Sequence, residues 1–579
     1  MGRLRLLSVS IFGTVLVLWA LSCAGPQALK PPAGAEKEPR YGGTLTVLGP
    51  YGTTPYAWDP ADCDWYQGYL CGPVYENLMM GNIYKGPRGT NEFQFDHPEW
   101  IPDEFLTGQL AENWEVKPNE KKIVFHIRKG VMWSGKPGVM EQPREFTAYD
   151  AEYALKRYIN SPKVSVGRFD WMDSLTATDK YTLELKYNTF TADWSYLLGW
   201  GWATDIEPRE TVEKGASDPR NIVGTGPFIL QEYVPGTSIT FVRNPNYWQT
   251  AKIGGKEYKL PFVDKLVYLI IEDESTRIAT LRTGKADLAW PISWKFKDSL
   301  QKSNPELQSW HRVGQTVFLV AMPCNKKPFD DRRVRLALSM AIDRRAVAKN
   351  PYYEPTDEPL ILHYPMGATY PKSVYVPLEE LPPSAREQFT YDPEKAKRLL
   401  AEAGYPQGFS TTMILHAYPD NQDLASLLAA MWEKIGVKVE LKPMEYAAFQ
   451  SMFLAKKHEG LVFYSKGLVH PLTVLRYNLP GQPWGPAEMW AIDPGFKDEY
   501  LACKSIENDE QRNKKIRELT VRHLDNVAYI SLPGNRYYIY AWPWVKNYYG
   551  EINLGYINDA SQAFAHIWID EDLKRSMGR

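Results

Sequence analysis

The sequence has little of several features that mark specialised proteins. Only five of its 579 residues are cysteine, and the spacings CxxC, HxH and HExxH do not occur, so a dedicated metal site has no support. With 67 Lys and Arg against 69 Asp and Glu, the chain has no charge excess that would attract nucleic acid or anionic lipid. Its 41 Gly and 44 Pro are too few for a collagenous or disordered chain. An ordinary globular protein of about two to four domains remains.

One long apolar run is present, at the N-terminus. Arg3 and Arg5 precede the run Leu6–Leu21, and the small residue Ser22 precedes Cys23. A transmembrane helix needs about 20 apolar residues, and this run is shorter. The positive start, the apolar run and the small residue before Cys23 predict a signal peptide over residues 1–22. No later apolar run in the sequence approaches this length.

The end of this segment, ALSC at residues 20–23, resembles a lipobox. Cys23 would then carry a diacylglyceryl thioether and become the mature N-terminus, and acyl chains of this kind give stable anchoring. Residues 23–40 are rich in Ala, Pro and charge and predict a lipidated tether. We expect an exported protein held on the cell membrane, facing the periplasm or exterior; the alternative is a plain secreted protein.

The remaining chemistry-bearing residues do not form a catalytic motif. Cys63 and Cys71 lie eight residues apart in an oxidising compartment, so they predict either a local disulfide or two small buried residues. The nine His are scattered, and none lies near a Ser or Cys in a nucleophile motif. We therefore expect no enzyme activity, no cofactor and no metal.

Alternating residues predict strands and helical spacing predicts helices throughout the mature chain. Strands are expected at residues 43–48, 122–128, 182–187 and 238–243. Helices are expected after capping sequences at Thr147, Asp330–Asp331 and Asp392–Pro393. The fold class is therefore α/β in several domains.

A series of short segments occurs in one order along the chain. They are GGTL from Gly42, VYENL from Val74, LAENWE from Leu110, FHIRKGVMWSGKP from Phe125, FTAYD from Phe146, GTGPF from Gly224, NPNYW from Asn244, GKAD from Gly284, NKKPFDDRRVRLALSMAIDR from Asn325, YDPEKAKRLLAEAGYPQGF from Tyr391 and IGVKV from Ile435. Together they resemble the family 5 extracellular solute-binding proteins of ABC importers, which include dipeptide-, oligopeptide- and nickel-binding proteins.

The resemblance implies a two-lobed periplasmic-binding-protein fold of the class II type with an extra subdomain. The hinge would be crossed twice by the chain. Residues 41–88, 205–308 and 537–579 would form lobe I, residues 89–204 subdomain II, and residues 309–536 lobe III.

The same resemblance implies a clamp that closes on its ligand and delivers it to a membrane permease driven by ATPase subunits. We expect a monomer that binds a solute, by default an oligopeptide. Many Tyr and Trp side chains keep an oligosaccharide or another non-peptide solute open. A ligand-sensing module not coupled to transport and a secreted hydrolase are the alternatives from other classes.

The predicted ligand-binding residues follow from the resemblance and from aromatic content near the expected cleft. They are Trp58, Asp59, Tyr464, Ser465, Lys466, Gly467, Trp484, Trp490, Tyr538 and Tyr540.

The match departs from the peptide-binding pattern at one place. Peptide-binding relatives carry a Trp and, three residues on, an Asp that pairs with the α-ammonium of the peptide. Here those positions correspond to Tyr464 and Gly467, and Lys466 lies beside the missing acid. An ammonium buried without a counter-charge costs several kcal/mol. Either the register differs, or a free peptide N-terminus is not held in the usual way.

Overall fold

In the computed structural model, the described residues are 38–49, 58–62, 70–95, 100–164, 167–314, 316–356, 363–467, 469–555 and 561–579. Residues Glu38–Arg579 form one compact unit. The predicted signal peptide, Cys23 and most of the tether lie outside the described residues, as does Cys63. Cys71 is buried. Among the described residues, no helix combines the length and the apolar character that crossing a bilayer requires.

The first lobe is built on a mixed sheet of seven strands. In spatial order the strands are Gln308–Val313, Arg536–Ala541, Leu288–Ser293, Thr44–Leu48, Lys265–Leu269, Ser238–Arg243 and Phe228–Val234. The central strand Thr44–Leu48 runs parallel to both neighbours, and the outer pairs are antiparallel. Helices of this lobe are Arg209–Lys214, Glu274–Arg282, Lys297–Ser303, Ser561–Ala565 and Glu571–Ser576.

A subdomain lies between the first and second strands of this sheet in the chain. Its antiparallel sheet has the order Ala111–Lys117, Lys122–Ile127, Thr182–Tyr187 and Met172–Asp179. The helix Ala148–Ile159 packs on this sheet. As predicted, the helix begins at Thr147 and Asp150, which form a capping box: the Asp150 carboxylate accepts from the Thr147 backbone N–H and hydroxyl, each at 2.9 Å.

The second lobe contains a five-stranded sheet with buried cores on both faces. Its strand order is Val437–Met444, Phe409–His416, Leu461–Gly467, Thr316–Ala321 and Tyr529–Ser531. The surrounding helices are Arg332–Met340, Arg344–Val347, Pro383–Arg386, Pro393–Glu402, Pro419–Glu433, Tyr446–Leu454, Pro471–Arg476, Phe496–Lys504 and Asp509–Asp525. Asp331 and Asp392 accept hydrogen bonds from first-turn backbone N–H groups, so both predicted caps are confirmed.

Two neighbouring antiparallel strands connect the lobes. Gln308–Val313 leads out of the seven-stranded sheet, and Arg536–Ala541 brings the chain back after the five-stranded sheet ends at Ser531. The chain therefore crosses the hinge twice. The predicted boundary lies after residue 308, which is the first residue of the outgoing strand. The rest of that strand, up to Val313, also pairs in the seven-stranded sheet.

Three short antiparallel pairs complete the described strands. They are Thr250–Ile253 with Lys256–Lys259, Met79–Gly81 with Leu106–Gly108, and Val545–Lys546 with Trp568–Ile569.

Candidate functional site

Four of the predicted site residues occupy the end of one strand in the five-stranded sheet. The strand Leu461–Gly467 pairs antiparallel with Thr316–Ala321. Because successive side chains of a strand alternate between its faces, Tyr464 and Lys466 share one face and Ser465 lies on the other. Tyr464 is buried and Ser465 is exposed.

The Lys466 ammonium is enclosed by aromatic faces. Its Nζ lies 4.2 Å from the ring centroid of Tyr477 and 4.8 Å from that of Trp484. Phe453 packs behind them, 5.2 Å from the Tyr464 ring and 5.8 Å from the Trp484 ring. Attraction between a cation and an aromatic face contributes about 0.5–2 kcal/mol. The predicted residues Tyr464, Lys466 and Trp484 therefore form one cluster with Tyr477. We call these four residues the lysine cage.

Gly467 adjoins the lysine cage and faces open space. A Cβ built at this position would meet no heavy atom within 4 Å, and the backbone is not in the left-handed region that favours glycine. An acidic side chain would therefore fit here without strain. This chain has none at the position where the resemblance predicts one.

His470 begins the next helix, Pro471–Arg476. Its Nδ1 accepts from the Leu472 backbone N–H at 3.2 Å, which caps the helix. Burial lowers the pKa of His470 to about 4, so the ring is neutral at physiological pH and Nδ1 remains an acceptor. The ring stacks on Tyr196 of the subdomain, with 5.9 Å between centroids.

The subdomain and the second lobe meet beside this stack. Ala192 donates its backbone N–H to the Lys504 carbonyl at 2.9 Å. Trp100 packs on Tyr370 with 5.0 Å between ring centroids. Sequence reasoning missed this contact surface, because its residues lie far apart in the chain and belong to no shared motif.

Trp58 and Asp59 lie apart from the lysine cage, between the first lobe and the subdomain. Trp58 is buried with its ring 5.3 Å from that of Tyr233. The Asp59 carboxylate forms an ion pair with Arg157, which also pairs with Glu207. Burial is the main cause that raises the pKa of Glu207 to about 8.

Tyr538 and Tyr540 line a third place, a cavity of about 580 Å³ beside the hinge. The Tyr538 hydroxyl donates to Glu354 Oε1 at 2.7 Å, and Lys297 Nζ lies 3.3 Å from the same oxygen. The cavity shares no lining residue with the lysine cage. Trp490 is half-buried, and its indole N–H has no hydrogen-bond partner within the described part of the chain.

No group of three or more His, Cys, Asp or Glu that could hold a metal occurs among the residues that the structure describes. Two α/β lobes joined by two neighbouring strands at a hinge are the architecture of the two-lobed, hinged solute-binding proteins.

Comparison with known proteins agrees. Residues 106–465 match the family described as bacterial extracellular solute-binding proteins, family 5. The heme-binding protein A of Haemophilus influenzae is 30% identical over 471 residues, which cover 76% of this chain and 81% of that protein. The chain belongs to family 5 of the bacterial extracellular solute-binding proteins.

Solved structures share the fold. The periplasmic binding protein DppA of Helicobacter pylori, in complex with the peptide STSA, has a TM-score of 0.69 and 22% identity and covers 92% of this chain and 99% of its own. The binding protein AgaA of A. tumefaciens R10, in complex with agropinic acid, has a TM-score of 0.68 and 20% identity, with 91% and 99% coverage. The family comprises solute-binding proteins of ABC importers, and its members bind peptides or small molecules outside the cytoplasm.

Proposed function

We propose that this protein captures a peptide or a peptide-like solute between its two lobes and delivers it to the permease of an ABC importer. It performs no chemical reaction on the solute. It acts as a monomer, anchored on the membrane through a lipid at Cys23, with residues 41–88, 205–308 and 537–579 as lobe I, residues 89–204 as the subdomain and residues 309–536 as lobe III.

The observation that carries this proposal is the lysine cage at the edge of the subdomain contact. A ligand that touches groups on both sides of a hinge binds the closed state better than the open state and so shifts the equilibrium towards closure. A differential affinity of about 5.5 kcal/mol is enough to turn a nearly all-open population into a nearly all-closed one.

Peptides are the first choice of ligand because the names of relatives include a dipeptide-binding protein and glutathione-binding proteins. A non-peptide solute is the second candidate. Gly467 favours it, since the acid that would hold a peptide ammonium is absent, and the exposed face of Trp484 suits a sugar or another ring.

Native mass spectrometry tests the proposal. Residues 24–579, with the lipidated cysteine removed from the chain, are purified without refolding, and the complex is then denatured to release its ligand. A ladder of peptide masses supports the first choice, and a sugar or another small molecule supports the second. A protein that stays empty against peptide and sugar libraries contradicts capture for import and favours a sensing role.

A further inference from the structure

One edge of the Arg168 guanidinium, on the subdomain, makes no hydrogen bond within the described residues. Its guanidinium carbon lies 6.0 Å from the ring centroid of Phe169 and 5.8 Å from that of Trp202. The Nε and Nη2 atoms are both buried, and neither has a hydrogen-bond partner in the described residues. These two nitrogens form one side of the planar guanidinium, the fork that matches the two oxygens of a carboxylate.

The groups near this fork make no hydrogen bond to Nε or Nη2 within the described residues. Tyr158, Tyr196, Tyr477 and Asp193 are near enough to interact with the guanidinium electrostatically. The Asp193 carboxylate accepts from the Thr191 hydroxyl and is also influenced by cationic groups of the second lobe. Within the described ranges, no carboxylate oxygen lies within 4.0 Å of the Arg168 nitrogens.

A second cation, Lys466 of the second lobe, contacts one of the same tyrosines. Tyr477, which interacts with Arg168, is also the ring on which the Lys466 ammonium lies at 4.2 Å. No carboxylate of the described residues forms an ion pair with Lys466. Two positive charges, Arg168 of the subdomain and Lys466 of the second lobe, therefore interact with one tyrosine, and Lys466 adjoins the position where Gly467 stands instead of an acid.

We propose that Arg168 is an anion-binding residue of the cleft, and that the bound peptide or peptide-like solute offers a carboxylate rather than an ammonium at this end. This inference rests on the proposed function. A buried ammonium beside two cations is repelled, whereas a carboxylate satisfies both orphaned nitrogens of Arg168. The site therefore tolerates a solute whose amino end is blocked.

Three versions of one random library of tri- to pentapeptides test this: with free ends, with an acetylated N-terminus, and with an amidated C-terminus. Each is incubated with the mature chain, and bound masses are counted by native mass spectrometry. We expect the acetylated peptides to bind within about threefold of the free ones. Amidated peptides should bind at least about tenfold more weakly, the size expected for loss of charge-assisted hydrogen bonds.

Variants assign the effect to Arg168. Arg168→Gln should weaken carboxylate-bearing peptides about tenfold and leave amidated peptides within about twofold, while Arg168→Lys, which keeps the charge without the fork, falls between them. Arg220→Gln is the matched control, because the Arg220 side chain is 87% exposed and pairs with the nearby Asp218. Circular dichroism confirms that each variant is folded.

The outcomes separate this inference from the proposed function. Two results overturn the inference and leave peptide capture intact. One is equal binding of amidated and free peptides, and the other is equal binding of free peptides by the Arg168→Gln and Arg220→Gln variants. Retention of no peptide from any of the three libraries contradicts the proposed peptide function, and the inference falls with it.

Discussion

Removal of one buried carboxylate, Asp287, should loosen the first lobe alone. Asp287 is fully buried. Its Oδ2 accepts from the Thr46 backbone N–H at 2.8 Å, and its Oδ1 accepts from the Trp544 indole at 2.7 Å and from Lys574 Nζ at 2.8 Å. This single side chain therefore joins the central strand of the seven-stranded sheet to the C-terminal part of the chain.

The expected cost of Asp287→Ala follows from these contacts. Each buried donor that loses its acceptor costs about 1–3 kcal/mol, so Thr46 and Trp544 together predict about 4 kcal/mol. Lys574 adds little, because its side chain is 21% exposed and its long stem lets the ammonium reach water once Asp287 is removed. Asp287→Asn keeps part of the hydrogen bonding and should cost about half as much.

Hydrogen–deuterium exchange of the mature chain measures this loss lobe by lobe. Amides of the strand Thr44–Leu48 and the helix Glu571–Ser576 should exchange up to about 1,000-fold faster in Asp287→Ala, which corresponds to about 4 kcal/mol. The five-stranded sheet should not change. Asp264→Ala is the control, since the Asp264 side chain is 62% exposed and its pair with Arg243 contributes less than about 1 kcal/mol. Equal exchange in the two variants would refute the reasoning.

Three further predictions concern the cleft and the response to pH. Gly467→Asp should fold with a melting temperature within about 2 °C of the native chain and shift the affinity ratio of free to N-acetylated peptides about tenfold towards free ones; an unchanged ratio would mean that residue 467 does not face the ligand. The pKa of His470, lowered by burial to about 4, gives stability that is present above pH 6.5 and is lost as pH falls through 4, about 3 kcal/mol in all. His470→Asn keeps a capping group and should reduce the fall in melting temperature between pH 7 and pH 4; an equal fall contradicts this. Burial is the main cause that raises the pKa of Glu76 from 4.5 to about 7, so its contribution is present below pH 4.5 and is lost as pH rises through 7. Glu76→Gln should reduce the change in melting temperature between pH 4.5 and pH 7. An unchanged dependence of the melting temperature on pH contradicts a titrating Glu76.

Local features of the fold were predictable because their causes are local. The caps at Thr147, Asp331 and Asp392 need only a side-chain oxygen and the next few backbone N–H groups, and all three form. Strand alternation likewise gave Lys122–Ile127 and Thr182–Tyr187.

Long-range pairing could not be predicted from one sequence. Nothing local to Arg168 indicates that it lies near Tyr477, because that proximity depends on how the subdomain meets the second lobe. Similarly, Asp59 is predicted as a ligand-binding residue, but its carboxylate pairs with Arg157 of the subdomain.

The matching segments of the family resemblance were of mixed value for the site. The segment GKAD from Gly284 contains Asp287, whose carboxylate holds the first lobe together. The segment from Asn325 supplies the cap Asp331. These residues maintain the scaffold, whereas the lysine cage lies at Tyr464–Gly467 and in the segments that follow, where the sequence departs from the peptide-binding pattern. Resemblance therefore identified the class of protein more readily than its ligand.

The central claim is that the solute is captured between the second lobe and the other side of the cleft, which the first lobe and the subdomain form together. Hydrogen–deuterium exchange with the free tri- to pentapeptide library at saturation tests this claim most directly. The account predicts slower exchange on both sides of the cleft at once: in Leu461–Gly467 and Pro471–Arg476 of the second lobe, and in residues 167–170 and 196–202 of the subdomain. Protection confined to one side, or to the cavity beside Tyr538 and Tyr540, would contradict it.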